Sequence, residues 1–261
     1  MEYIVVSLTA LLVSTLTLFS GFGLGIVLMP AFALFFPVRI AIAATAIVHL
    51  ANNLFKASLL GRQADWSVVV RFAVPGAAAA MLGAGVLNLF DGLPPVAYYW
   101  LGERRHEITL IKLVAGVTII AFAFLELLPR FQQIAFDRKY LPWGGIVSGF
   151  LGGLSGNQGA LRSAFLIKAG LDKHAYVATG TVSAVIVDIA RLIVYGLSFY
   201  AARFAELSSE LNRLILIATL AAFLGAFIGT RLIKKVTLNT IHIIVGIMLI
   251  VSGTSMTLGL F

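Results

Sequence analysis

Polar side chains recur at helical spacing inside stretches otherwise too apolar to face water. Thr45, His49, Asn52, Asn53 and Lys56 follow one another at steps of three and four, with the two asparagines adjacent. On an α-helix that spacing gathers Thr45, His49, Lys56 and an asparagine toward one face. A later stretch carries Thr179, Thr181, Ser183, Asp188 and Arg191, the last two one turn apart near its middle. A polar group inside a membrane span is costly unless it has a partner or a wet cavity, so both stripes are expected to face inward. Hydroxyls, amides and fixed cations directed at one cavity suit a small anion.

Two glycine-rich breaks add backbone donors. The first, Ser20 to Pro30, contains Gly21, Gly23 and Gly25; the second, Gly149 to Gly159, contains Ser155, Gly156, Asn157 and Gln158, with Arg162 about one turn beyond. Irregular backbone at membrane depth survives only against protein or a water-filled cavity. Where a half-helix resumes after such a break, its free N–H groups and positive dipole end suit an oxyanion. The expected substrate-binding side chains are Thr45, His49, Asn52, Asn53, Lys56, Asn157, Gln158, Arg162, Thr179, Asp188 and Arg191. Gly21, Gly23, Gly25, Gly156 and Gly159 are the expected hinge and backbone positions. Structural readings stand beside these: Asp188 and Arg191 neutralise each other, Lys56 snorkels to a headgroup, His49 is merely hydrogen-bonded, and the glycines serve close helix packing. A proton relay through His49 is the functional alternative for that residue.

The elements that must position these groups follow from composition. The chain has 261 residues, of which 60% are hydrophobic and 11% charged. That leaves too little polar surface to coat a soluble globule. Apolar segments fall at 3–36 and 141–169, each with its internal break, and at 40–60, 66–90, 108–129, 174–202, 211–233 and 238–260. Their lengths read as helices, giving an all-α, polytopic, multi-pass integral membrane protein of bacterial inner-membrane type, with the lipid bilayer as its surroundings. The longest polar connection is Asp91 to Glu107, and the first helix reads as retained rather than cleaved.

Several classes of function are disfavoured. The net charge of +8 is scattered over loops and helix ends, which fits topogenesis and argues against nucleic acid. There are no cysteines, and no histidine–carboxylate pair has metal-ligand spacing, so neither cofactor nor metal is expected. No Ser/His/Asp constellation and no Walker loop is present, which argues against an enzyme and against direct ATP drive.

The chain also repeats itself. Arg71…Ala79-Ala80-Met81-Leu82-Gly83-Ala84 recurs as Arg213…Ala221-Ala222-Phe223-Leu224-Gly225-Ala226, and Gly25, Ala41, Ala44 and Thr45 recur at the same spacing as Gly159, Ala175, Ala178 and Thr179. Two transmembrane repeats, 1–131 and 132–261, are therefore expected. Lys56 lies one position from the repeat equivalent of Arg191, so two cations at nearly matching depth could clamp an anion on the pseudo-symmetry axis. Four crossings per half would make the repeats parallel, and five would make them inverted; the sequence leaves both open. Counting Lys and Arg on the first scheme leans toward both termini outside.

The glycine motifs and the Ala-x-x-Ala-Thr that follows each of them resemble the TauE/SafE sulfite exporter family of membrane permeases, over nearly the whole chain. The resemblance implies a secondary transporter that moves a small sulfur-containing anion, such as sulfite or an organosulfonate, by alternating access. An anion channel, or a carrier for another small organic anion, is the alternative, and a homo-oligomer is compatible with either. The second break departs from the usual family pattern at Asn157, Gln158 and Arg162, which places the expected specificity there.

Overall fold

Helices form where the apolar runs are longest, and the polar clusters end them. The computed structural model describes residues 1–17, 23–90, 92–128, 134–196, 208–232 and 238–260. Among these, α1 is Glu2–Thr17, α2 Leu24–Ala33, α3 Val38–Leu60, α4 Trp66–Leu89, α5 Leu110–Leu127, α6 Leu141–Ser155, α7 Gly159–Leu166, α8 Lys173–Tyr195, α9 Ser208–Leu232 and α10 Leu238–Thr257. Asp65 caps α4 by accepting from the Val68 N–H, and Asp172 caps α8 by accepting from the amides of His174 and Ala175. The Ala175 and His174 amides hold the Asp172 carboxyl below the usual carboxylate range.

Four spans, 38–63, 66–89, 173–195 and 209–229, are long and apolar enough to cross a membrane, and α1, α5 and α10 contain shorter apolar helices. Leu82, Leu89 and Leu220 are exposed on this bundle, as a lipid-facing surface requires. The chain is an integral membrane protein.

The second break reverses the chain, since Phe165 of α7 lies back against Gly144 of α6. Gly23 at φ 117° precedes α2, and Gly156 at φ 81° ends α6, a left-handed conformation that side chains rarely adopt. Gly21 lies outside the described residues. After each break only a short helix follows, α2 with 10 residues and α7 with 8.

Helices pair across the halves. A Cβ on Gly149 or Gly153 of α6 would stand 2.0 Å from the carbonyl oxygen of Gly76 or Ala80 of α4. One on Gly225 of α9 would stand 2.3 Å from the Leu11 oxygen of α1. The repeated Leu-Gly-Ala is thus a packing motif: Gly83 lies against Phe150 and Gly225 against Leu11, each on the first helix of the other half. The equivalent helices α3 and α8 run antiparallel, since His49 meets Asp188 while Gly61, just past α3, meets Val182. The same holds for α5 and α10, where Gly116 meets Gly253 and Leu127 meets Gly246. Equivalent elements of opposite direction make the repeats inverted, although α2 and α7, with 10 and 8 residues, are too short to supply the separate crossings of the five-crossing scheme.

The polar connection after α4 is more ordered than a loop. Ala97–Leu101 (β1) pairs antiparallel with Arg104–Ile108 (β2) around a two-residue turn that has Gly102 at φ 63°. The hairpin is tied to the end of α10 by the Tyr99 hydroxyl, which donates to the Leu258 oxygen at 2.8 Å.

Candidate functional site

The α3 stripe is buried along its length. Thr45 and Asn52 are 1% exposed, and His49, Asn53 and Lys56 are also buried, because α3 packs between α2, α8 and α9. Lys56 is therefore enclosed by protein rather than extended to a headgroup. On α8 the carboxylate of Asp188 is fully buried and faces α3.

Asp188 organises the centre. Its Oδ2 lies 2.6 Å from His49 Nδ1 and accepts weakly from Asn53 Nδ2 at 3.5 Å; its Oδ1 accepts from Gln158 Nε2 at 3.1 Å. Arg191 Nη2 stands 2.7 Å from Oδ1, an ion pair rather than an aligned hydrogen bond, while Arg191 Nη1 donates to the Gly152 oxygen at 3.0 Å. Arg191 thus ties the carboxylate to the end of α6. Tyr195, one turn on, donates its hydroxyl to the Gly153 oxygen, and Ser148 Oγ donates to the Gln158 oxygen at 2.9 Å. The second break is held from both sides by polar side chains.

The two breaks meet. A Cβ on Gly25 would lie 3.3 Å from the Gly156 oxygen, 3.7 Å from His49 Cδ2 and 4.0 Å from Thr45 Cγ2. Both short helices, α2 from Leu24 and α7 from Gly159, begin at this junction. Their first-turn N–H groups lack intrahelical acceptors, and their positive dipole ends converge there.

Several buried polar groups here have no partner among the described residues. Both amide atoms of Asn52, both of Asn157, Oε1 of Gln158, Oγ1 of Thr45 and Oγ of Ser183 are unsatisfied. Lys56 has no hydrogen-bonded or ion-paired partner among the described residues, and the charged group within electrostatic reach of it is another cation, Arg162. Leaving such groups bare inside a bundle costs several kcal/mol, which makes them the candidate binding site. Among the described residues no group of His, Cys, Asp and Glu could hold a metal ion.

Thr179 is the expected residue that lies apart. Its Oγ1 accepts from the Asp65 N–H at 2.9 Å, which ties α8 to the start of α4. Tyr195 and Ser148 were absent from the sequence expectation. Tyr195 continues the Asp188–Arg191 stripe at the next helical step, a signal that spacing alone could have supplied.

The family model for sulfite exporter TauE/SafE matches residues 6–256. The chain belongs to the TauE/SafE family. It is accordingly a membrane permease of an exporter family. No curated protein and no solved structure matches it significantly. Asn157, Gln158 and Arg162, where the sequence placed the expected specificity, are buried at the second break.

Proposed function

We propose that this TauE/SafE protein is a secondary transporter that binds a small sulfur-containing anion, sulfite or an organosulfonate, where its two breaks meet, and moves it by alternating access between the repeats 1–131 and 132–261. Lys56 carries the reading: it is a buried ammonium without a counter-ion among the described residues, with Arg162 as its charged neighbour. An arriving anion would supply the missing charge. Asn52, Asn157 and Thr45 would offer it hydrogen bonds now unmade, and the first turns of α2 and α7 would offer backbone N–H groups. Arg191 and Asp188 hold the second break in shape around the site.

Inverted repeats with discontinuous helices at the midplane are the architecture in which rocking of one half against the other exposes a central site alternately. A thermal-shift panel on the purified protein tests the substrate class. Sulfite, thiosulfate and sulfoacetate should stabilise the fold, since a ligand at 100 times its Kd adds about 2.7 kcal/mol. Simple carboxylates should do so less. Stabilisation by carboxylates alone, or by none of the panel, would remove sulfur anions as the substrate.

A further inference from the structure

We infer that His49 is a proton-binding site linked to the anion site, so that each anion is carried with one proton in the same direction. The inference rests on the anion site proposed above.

His49 stands between the breaks with one side closed and one side open. Its Nδ1 faces Asp188 Oδ2 at 2.6 Å, and Asp188 is fully buried, so nothing reaches the ring from that side. The Cδ2 edge faces the first break, where a Cβ on Gly25 would come within 3.7 Å. His49 itself is 9% exposed, the highest value in the buried polar cluster. That residual exposure is the access by which a proton can reach Nε2.

The bonds around the ring accommodate both states. In the uncharged ring, Nδ1–H donates to Asp188 and Nε2 is bare; Asn53 Nδ2, 3.3 Å away, can donate to it. When Nε2 takes a proton from water it becomes a donor, and Asn53 needs only to turn its amide so that Oδ1 accepts. That turn gives up the weak 3.5 Å contact of Asn53 Nδ2 with Asp188 Oδ2, while Asp188 keeps the contact with Nδ1.

Linkage follows from the charges that face the ring. From α8 these are Asp188 and Arg191; from α7, Arg162; and Lys56 lies two turns along α3. Gln158 and Asn53 are the neutral groups that face Asp188 with it. One carboxylate thus stands among several cations, and a further positive charge on His49 is opposed until an anion arrives. An anion beside Lys56 and Arg162 removes that opposition, and by reciprocity the proton tightens the anion by the same factor.

The test uses purified full-length protein and methanesulfonate, whose own charge is fixed across the working range of roughly pH 5 to 8, where an imidazole titrates. The wild type should take up close to one proton per bound anion at the alkaline end, read with an indicator dye in weak buffer. Its Kd should rise there by up to about tenfold per pH unit. His49→Gln should flatten that slope and abolish the uptake, whatever affinity it retains. Wild-type binding with a pH-independent Kd and no uptake would overturn the linkage and leave the anion site standing. Proton uptake that persists in His49→Gln would also overturn it. Absence of saturable binding to the wild type would overturn the anion site and the linkage together.

Discussion

A carboxylate buried to 0% exposure inside a membrane bundle stays ionised only if cations and donors replace its water. Asp188 has both, in Arg191, His49 and Gln158. Removing its charge strands Arg191, so Asp188→Asn should destabilise by about 3–5 kcal/mol; loss of the monodisperse peak on heating detergent-solubilised protein measures it. Lys56 should behave in the opposite way. With no partner among the described residues, its change to Gln should leave thermal stability equal or higher while weakening anion binding more than about tenfold. A lysine that merely supported the fold would lower stability and leave binding alone. The two stripes were legible in the sequence because polar groups at steps of three and four in apolar helices have one face to occupy. Their division of labour was not. Spacing placed Asp188 and Arg191 one turn apart without saying that Arg191 would also bond Gly152, or that Thr179 would be engaged by the Asp65 amide.

At the scale of elements, carbonyl-to-glycine contacts hold α4 on α6 and α1 on α9. Ala in place of Gly83 or Gly149 forces a Cβ to within 2.1 or 2.0 Å of a backbone oxygen, so each should cost about 1–3 kcal/mol. Gly85 is the internal comparison: nothing lies within 4 Å of its Cβ position, and Ala there should be neutral or stabilising by up to about 1 kcal/mol. Equal thermal losses at Gly85 and Gly149 would mean that the contacts do not hold the pairs together. The repeat of Gly83 and Gly225 could be read from the chain, but not which helices they join, because pairing across halves is a tertiary choice. The reversal at the second break was likewise open, since an apolar run does not say whether a glycine cluster bends or turns the chain. The hairpin escaped because the run Tyr98 to Leu101 was read with the polar connection around it, although Gly102-Glu103 is a two-residue turn.

For the whole molecule, inverted repeats put the hairpin and the residues just after α10 on one face, and the turn at 61–65 with the segment 134–140 on the other. The second face carries Arg62, Arg138, Lys139, Lys168 and Lys173. It outweighs Arg39, Arg104, Arg105 and Lys112 on the hairpin face, so it should be cytoplasmic. The chain has no cysteine, which makes labelling direct. In intact cells an impermeant maleimide should react with Gly102→Cys and should reach Gly170→Cys only after permeabilisation; the reverse pattern would invert the orientation. The central claim is that an anion completes the charge of Lys56 where the two breaks meet, and that the protein carries it across. Counterflow in proteoliposomes tests this most directly. Internal unlabelled sulfite should accelerate saturable entry of labelled sulfite in the wild type, and Lys56→Gln of equal stability should lose that acceleration. Undiminished counterflow in Lys56→Gln, or none in the wild type, would contradict it.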